Sequence, residues 1–173
     1  MTALQSDQVE VYVFRRNRGR VQFLALQRAR GQALPGVWQP VTGRRCRGET
    51  AHAAARREVR EETGLEPRRW WALETPTLYF DARVDSVVVL PLFAAEVGAA
   101  ERVVLSAEHR SARFLPASRA GRLFLWRAQR RGLEAVRHEV LAGGSLARAL
   151  EIALPDTPAR RSRRRAAVPS RRS

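Results

Sequence analysis

Hydrophobic and polar positions alternate through the first part of the chain, the two-residue period of a strand. The segments are residues 9–14 (VEVYVF) and 21–26 (VQFLAL), and RRNRGR between them offers Asn17 and Gly19 for a tight turn, so a β-hairpin is predicted. Residues 38–42 predict a short strand. Residues 86–97 (SVVVLPLFAAEV) predict a long apolar one with a kink or edge at Pro91, which lacks a ladder donor. Further short strands are expected at 70–73, 103–105 and 112–115, and residues 74–85 read as a loop. Helices are expected at 51–63, 117–131, 133–141 and 146–153. Strands before, between and after helices, without regular alternation, indicate an α+β sandwich. Beyond Pro155 the Arg, Pro, Ser and Ala mixture has no apolar periodicity, which divides the chain into a folded domain, 1–154, and a disordered basic tail, 155–173.

Charge changes this picture only in part. The net charge is +15 in 173 residues, and all 32 basic residues are arginine. The tail holds seven arginines and one aspartate, while residues 1–154 hold 25 arginines against 16 acidic residues. A nucleic-acid partner therefore stays open through the tail, but an all-arginine basic set follows coding bias as readily as function. Cys46 is the only cysteine, so no intrachain disulfide forms and a reducing, cytoplasmic setting is expected. The first residues lack a charged start followed by an apolar core, and the longest apolar run, 87–93, is far too short to span a bilayer, so no membrane partner is expected.

Candidate chemistry concentrates in residues 43–65, GRRCRGETAHAAARREVREETGL. Thr50 is placed to cap a helix, residues 51–55 are strong helix formers, and Gly64 suits a left-handed terminal residue. On that helix Glu58, Glu61 and Glu62 fall at i, i+3 and i+4, so their carboxylates share a face and repel. Such a face is either a solvated surface or a site for hard cations, which prefer carboxylate oxygen. Ala51, Ala54 and Ala55 lie on nearly the same face a turn or two earlier and allow close packing, which points the carboxylates inward. Arg57, four residues before Glu61, can fix the direction of a carboxylate with its fork of donors or form an ordinary surface ion pair.

The spacing Gly43, five residues, Glu49, seven residues, Arg57, Glu58, Val59, any residue, Glu61, Glu62, any residue, Gly64 and Leu65 resembles the Nudix hydrolase motif at every defined position. The resemblance extends over roughly residues 9–143. The run LALQRARGQALPGVWQPVTG, with Trp38 and Gln39 before the glycine, is similar to Nudix enzymes acting on dATP or dihydroneopterin triphosphate, as are PLFAAEV (91–97) and EHRSARFLP (108–116). It implies a Nudix-type α/β/α sandwich with a mixed sheet and a loop-helix-loop metal-binding motif. It also implies an enzyme that uses Mg²⁺ or Mn²⁺ to hydrolyse a diphosphate bond in a small phosphorylated substrate, releasing pyrophosphate. Glu58 and Glu62 are then the principal ligands, Glu61 and Glu108 further ligands or the general base, and the Gly43 carbonyl a further approach to metal unless it merely makes a turn. Glu49 either serves the metal cluster indirectly or favours the helix start by its charge. Glu108 and His109 otherwise lie on a solvated loop, and His109 is expected to orient a neighbour rather than to bind metal. Arg28 is a candidate phosphate ligand, and Trp38 either stacks on a base or packs in the core. Trp70, Trp71 and Trp126 are assigned to packing. Arg44, Arg45, Cys46 and Arg47 stand where relatives often carry acidic residues, which alters the field at the phosphate entrance. Substrate identity is expected to sit in loops such as 74–85. Dinucleoside polyphosphates and nucleotide sugars are alternatives within the hydrolase class, removal of pyrophosphate from an RNA 5′ end and an inactive Nudix-shaped binding module are two other classes of function, and a homodimer is possible.

Overall fold

The computed structural model describes residues 3–153, so the basic tail lies outside the described residues. The predicted hairpin is present as β2 (Gln8–Asn17) and β3 (Arg20–Arg28). Arg18 and Gly19 both take positive φ at its tip, 48° and 74°, the primed turn whose twist matches its strands. β2 is the centre of a mixed sheet in the order β10-β3-β2-β9-β6, with β10 at His109–Leu115, β9 at Leu92–Val97 and β6 at Arg69–Ala72. β2 runs parallel to β9 and antiparallel to β3.

Both faces of β2 are buried, valines to one side and Glu10, Tyr12 and Phe14 to the other. Val9, Val11 and Val13 pack with Ala54, Ala55 and Val59 of α1 (Ala51–Thr63), whereas Tyr12 and Phe14 pack with Phe124, Leu133 and Val136. The second layer comprises α2 (Ala117–Leu123), α3 (Arg127–Ala135) and a π-helical stretch, Val136–Leu141, with α4 (Gly144–Leu150) following. Helices on both sides of a mixed sheet make the expected α/β/α sandwich.

Several elements depart from the sequence expectation. Residues 38–42 form two pieces, β4 (Trp38–Gln39) on β3 and β5 (Val41–Arg44) on β2, divided at Pro40. Residues 86–97 also divide at a proline. β8 (Ser86–Leu90) joins a separate three-stranded sheet with β1 (Ala3–Gln5) and β7 (Thr77–Asp81), and the chain enters the large sheet as β9 only after Pro91. Residues 74–85 are thus not a loop but hold β7, an edge strand.

Residues 103–105 are not a strand. Their backbone serves the end of α1, where the Val104 amide donates to the Thr63 carbonyl at 2.8 Å and the Ser106 amide to the Glu62 carbonyl at 3.3 Å. Those carbonyls belong to the last helical turn and have no acceptor role inside the helix. The expected helix over 117–131 breaks at Phe124, whose extended backbone turns its ring into the core and leaves Leu125 and Trp126 exposed. The packing role assigned to Trp126 is therefore withdrawn, while Trp70 and Trp71 are buried. Among the described residues, no helix is long and apolar enough to cross a membrane.

Candidate active site

α1 is fastened at both ends. The Thr50 hydroxyl accepts from the Ala53 amide at 3.2 Å, and Gly64, at φ 65°, closes the helix with its amide on the Arg60 carbonyl at 2.8 Å. The buried residues Ala54, Ala55 and Val59 press the helix onto the sheet, and Glu62, on the same side, is buried with them. Glu58 is half-buried and Glu61 exposed at the helix margin. The three glutamates thus grade from inside to outside across the helix face.

Arg57 organises the outer part of the cluster. Its guanidinium takes both carboxylate oxygens of Glu49 at 3.0 Å, one oxygen of Glu58 at 2.8 Å and one of Glu61 at 3.0 Å, and it donates to the Arg44 carbonyl at 2.7 Å. Glu49 accepts in addition from the Cys46 amide at 2.8 Å, and these partners, Arg57 first, hold its carboxyl down at about 2. The Glu49–Arg57 pair therefore locks the loop before α1 to the helix. Gly43 matters here for room rather than for a turn. It lies in β5, and a Cβ on it would fall 2.0 Å from the Glu58 carboxyl carbon.

Glu62 is the most perturbed group of the cluster. Its Oε2 is buried with no hydrogen-bond partner among the described residues. Burial above all, then the charges of Glu58 and Glu108, push its pKa up to about 9, against the opposing pull of Arg28 and the Thr42 amide. An uncompensated buried carboxylate is costly, so Glu62 takes either a proton or a cation. Glu108 reaches this point because residues 103–106 are tied to the end of α1 and the Glu108 carbonyl accepts from the Ala29 amide at 2.8 Å.

His109, next to Glu108, is buried opposite Arg28 in the β10–β3 register, and its Nδ1 stands 3.9 Å from Glu62 Oε2. Burial, then Arg28, lowers its pKa to about 4, so it is a neutral ring that adds no positive charge beside Glu62. Arg28 donates to Gln39 at 3.3 Å, and Gln39 donates to the Thr42 hydroxyl at 3.0 Å, which joins β3, β4 and β5 at the floor of the site.

Arg28, Gln39, Gly43, Arg57, Glu58, Glu61, Glu62 and Glu108 are thus grouped around the inner half of α1. Trp38 is not with them. Strand alternation turns it to the opposite face, where it packs with the second core cluster beneath the Arg113 guanidinium, 5.1 Å from its ring. Of the two roles open to Trp38, packing fits this placement. Glu49 is the principal partner of Arg57, which fits the indirect of the two roles open to it. The carbonyl of Arg44 and the amide of Thr42 carry no sequence signal because any residue supplies them.

The donor set suits a hard divalent cation. It consists of carboxylate oxygens, one of them buried and unpartnered, beside a glycine that keeps the backbone close. Among the described residues no three acidic, histidine or cysteine side chains already converge at ligating distance, because Glu58 and Glu61 are drawn to Arg57 and Glu108 is exposed. The set is gathered but not closed.

The NUDIX domain family model matches residues 6–136. No curated protein sequence matches the chain. An Ap4A hydrolase structure from Caenorhabditis elegans is similar over 79% of this chain and 98% of its own, at 20% identity and a TM-score of 0.67. A Listeria monocytogenes structure bearing the NUDIX hydrolase name is similar over 80% of this chain and 96% of its own, at 26% identity and a TM-score of 0.67. The dihydroneopterin triphosphate pyrophosphohydrolase of Escherichia coli is similar over 78% of this chain and 96% of its own, at 23% identity and a TM-score of 0.61.

Proposed function

This chain belongs to the Nudix family and is a hydrolase, and on that premise we propose that it cleaves a diphosphate bond in a nucleoside triphosphate or similar nucleoside diphosphate-linked compound. The substrate we favour is of the dATP or dihydroneopterin triphosphate kind, pyrophosphate is released, and Mg²⁺ or Mn²⁺ is the cofactor. The observation that carries this reading is the buried, unpartnered oxygen of Glu62, set among the charges of Glu58 and Glu108. Two of the similar structures are named for hydrolysis of Ap4A and dihydroneopterin triphosphate, which supports a phosphoanhydride substrate.

Glu58 and Glu62 would hold the metal, with Glu61, Glu108 and the Gly43 carbonyl as further donors. When bound, the ions neutralise phosphate charge and acidify water, the chemistry that makes a phosphoanhydride open to attack at neutral pH. Arg57 holds Glu58 and Glu61 in direction and is itself held by Glu49, so the outer carboxylates are preorganised. Glu108 has no arginine partner within ion-pair distance among the described residues, and its exposed carboxylate can accept the proton of the attacking water. Glu61 is the other candidate for that task. Arg28, anchored on Gln39, offers positive charge to a phosphate on the inner side of the site.

An inactive binding module fits less well, since every carboxylate of the motif is in place. The RNA-end reading draws only on the basic residues 155–173. The test is a hydrolysis screen with Mg²⁺ across nucleoside triphosphates, dihydroneopterin triphosphate, dinucleoside polyphosphates, nucleotide sugars and triphosphorylated RNA. Turnover of a small triphosphate with pyrophosphate as product is the expected result. Turnover confined to RNA ends would transfer the assignment to the alternative.

A further inference from the structure

The small sheet turns an apolar face to solvent. Register sets Leu4 against Val87, Val87 against Phe80 and Val89 against Leu78. Because side chains alternate along a strand, these five stand together on one face, and the intervening Ser86, Val88 and Leu90 form the buried one. Leu4 is 73% exposed, Leu78 61% and Phe80 57%, and Val84 at the hairpin tip is 54% exposed. Together they present on the order of 500 Å² of apolar surface, toward the upper end of the largest patch on a typical monomer. β7 is also an edge strand, yet its middle residues carry no charge to discourage association.

We infer that a second copy of this chain covers this face, with the two small sheets packed against one another about a two-fold axis. Charge selects the occupant. At +15 per chain, two copies repel over most of their surfaces. Residues 74–91 are the contrary case, with Glu74, Asp81 and Asp85 against Arg83, which pairs with Asp81, so self-contact here meets a small residual negative charge in place of the arginine excess found elsewhere. The same acidic surroundings oppose an anionic membrane or a nucleic-acid backbone. Residues 155–173 contain one aliphatic side chain beyond alanine and proline, Val168, and offer no apolar complement. Two such faces bury about 1,000 Å² in total, at the lower bound for a specific interface, so a reversible dimer is expected. A two-fold interface uses the same patch on both copies, as a single apolar face requires. The inference does not depend on the hydrolase reading.

Sedimentation velocity on the full chain, from about 1 to 100 µM, covers the micromolar range expected of a weak, reversible dimer. The expected result is a rise from the 19.5 kDa monomer toward twice that mass with concentration. Phe80→Asp should hold the protein at monomer mass throughout, with its melting temperature unchanged. Should that variant fail to fold, Leu4→Asp on the opposite edge strand makes the same test. A wild-type monomer at the highest concentration overturns the inference, as does a dimer that survives both substitutions. So does a monomeric protein that binds lipid vesicles through this face.

Discussion

Gly43→Ala should disable the site while leaving the fold standing. The residue lies in an extended strand without positive φ, so alanine meets no backbone strain there. Its new Cβ would sit 2.0 Å from the Glu58 carboxyl carbon, 2.1 Å from Cγ and 2.3 Å from Oε1. To restore an ordinary contact of 3.4 Å, the Glu58 side chain must retreat by about 1.4 Å, the difference between 3.4 and 2.0 Å. A displacement of that size in a group that positions the reaction costs on the order of 10²-fold in rate. The clash falls on the end of a flexible side chain, so the stability loss should be near the lower end of overpacking, about 1 kcal/mol. The assay is kcat with a small triphosphate at saturating Mg²⁺, together with denaturant unfolding, for Gly43→Ala, Glu58→Ala and the double variant. In the Glu58→Ala background the space is already vacant, so adding Gly43→Ala should cost almost nothing further in either measure. Full activity of Gly43→Ala, or an equal cost in both backgrounds, would refute the idea that Gly43 exists to admit Glu58.

Arg57→Lys keeps the charge but loses the fork that spans Glu49, Glu58 and Glu61, and kcat should fall by roughly 10 to 100-fold with little change in KM; an unchanged kcat would return Arg57 to the status of a surface ion pair. Glu108→Ala should lower activity by roughly 10 to 100-fold with the melting temperature intact, measured by steady-state hydrolysis. The third expectation concerns Glu10, buried between sheet and α3 beside the Tyr12 hydroxyl and the Gln129 amide, where burial raises its pKa to about 7 from 4.5. The folded state therefore binds the proton more tightly, and its contribution is complete below pH 4.5 and lost as pH rises through 7. That contribution is on the order of 3 kcal/mol, and Glu10→Gln should flatten the fall in stability between pH 5 and about 8, seen by urea unfolding; the same slope in both proteins would show that Glu10 is not the titrating group.

The hairpin was legible because valines at 9, 11 and 13 keep one face apolar and Gly19 marks the turn. α1 was legible because its cap, its alanines and its carboxylates share one segment. What could not be read were features set by distant chain. Tyr12 and Glu10 are buried only because α3 crosses the other face of β2, bringing Gln129 and Gly132 against them. The Leu78–Tyr79–Phe80 run has neither the alternation of a strand nor the length of a helix, so β7 was hidden within a segment that reads as a loop. Residues 103–105 have the composition of a strand, but the carbonyls ending α1 take the amides of Val104 and Ser106 instead. Trp38 was ambiguous for the same reason, since only the register of β4 on β3 decides its face. In the site, Glu58, Glu61, Glu62 and Arg57 were set out by helical spacing, whereas the approach of Glu108 and His109 depends on a loop anchored to the helix end.

The central claim is that Glu62 exchanges a proton for a divalent metal ion, and Glu62→Gln tests it directly. The amide matches the protonated carboxyl in size and neutrality, so the fold should be as stable as wild type in EDTA at pH 7. Thermal unfolding of both proteins in EDTA and in increasing Mg²⁺ makes the comparison without relying on knowledge of the substrate. Wild type should gain several degrees with Mg²⁺, since a ligand bound only to the folded state stabilises it, while Glu62→Gln should gain little and lose on the order of 10²-fold or more in kcat. An equal Mg²⁺-dependent gain in both proteins, with hydrolysis intact in the variant, would contradict the claim.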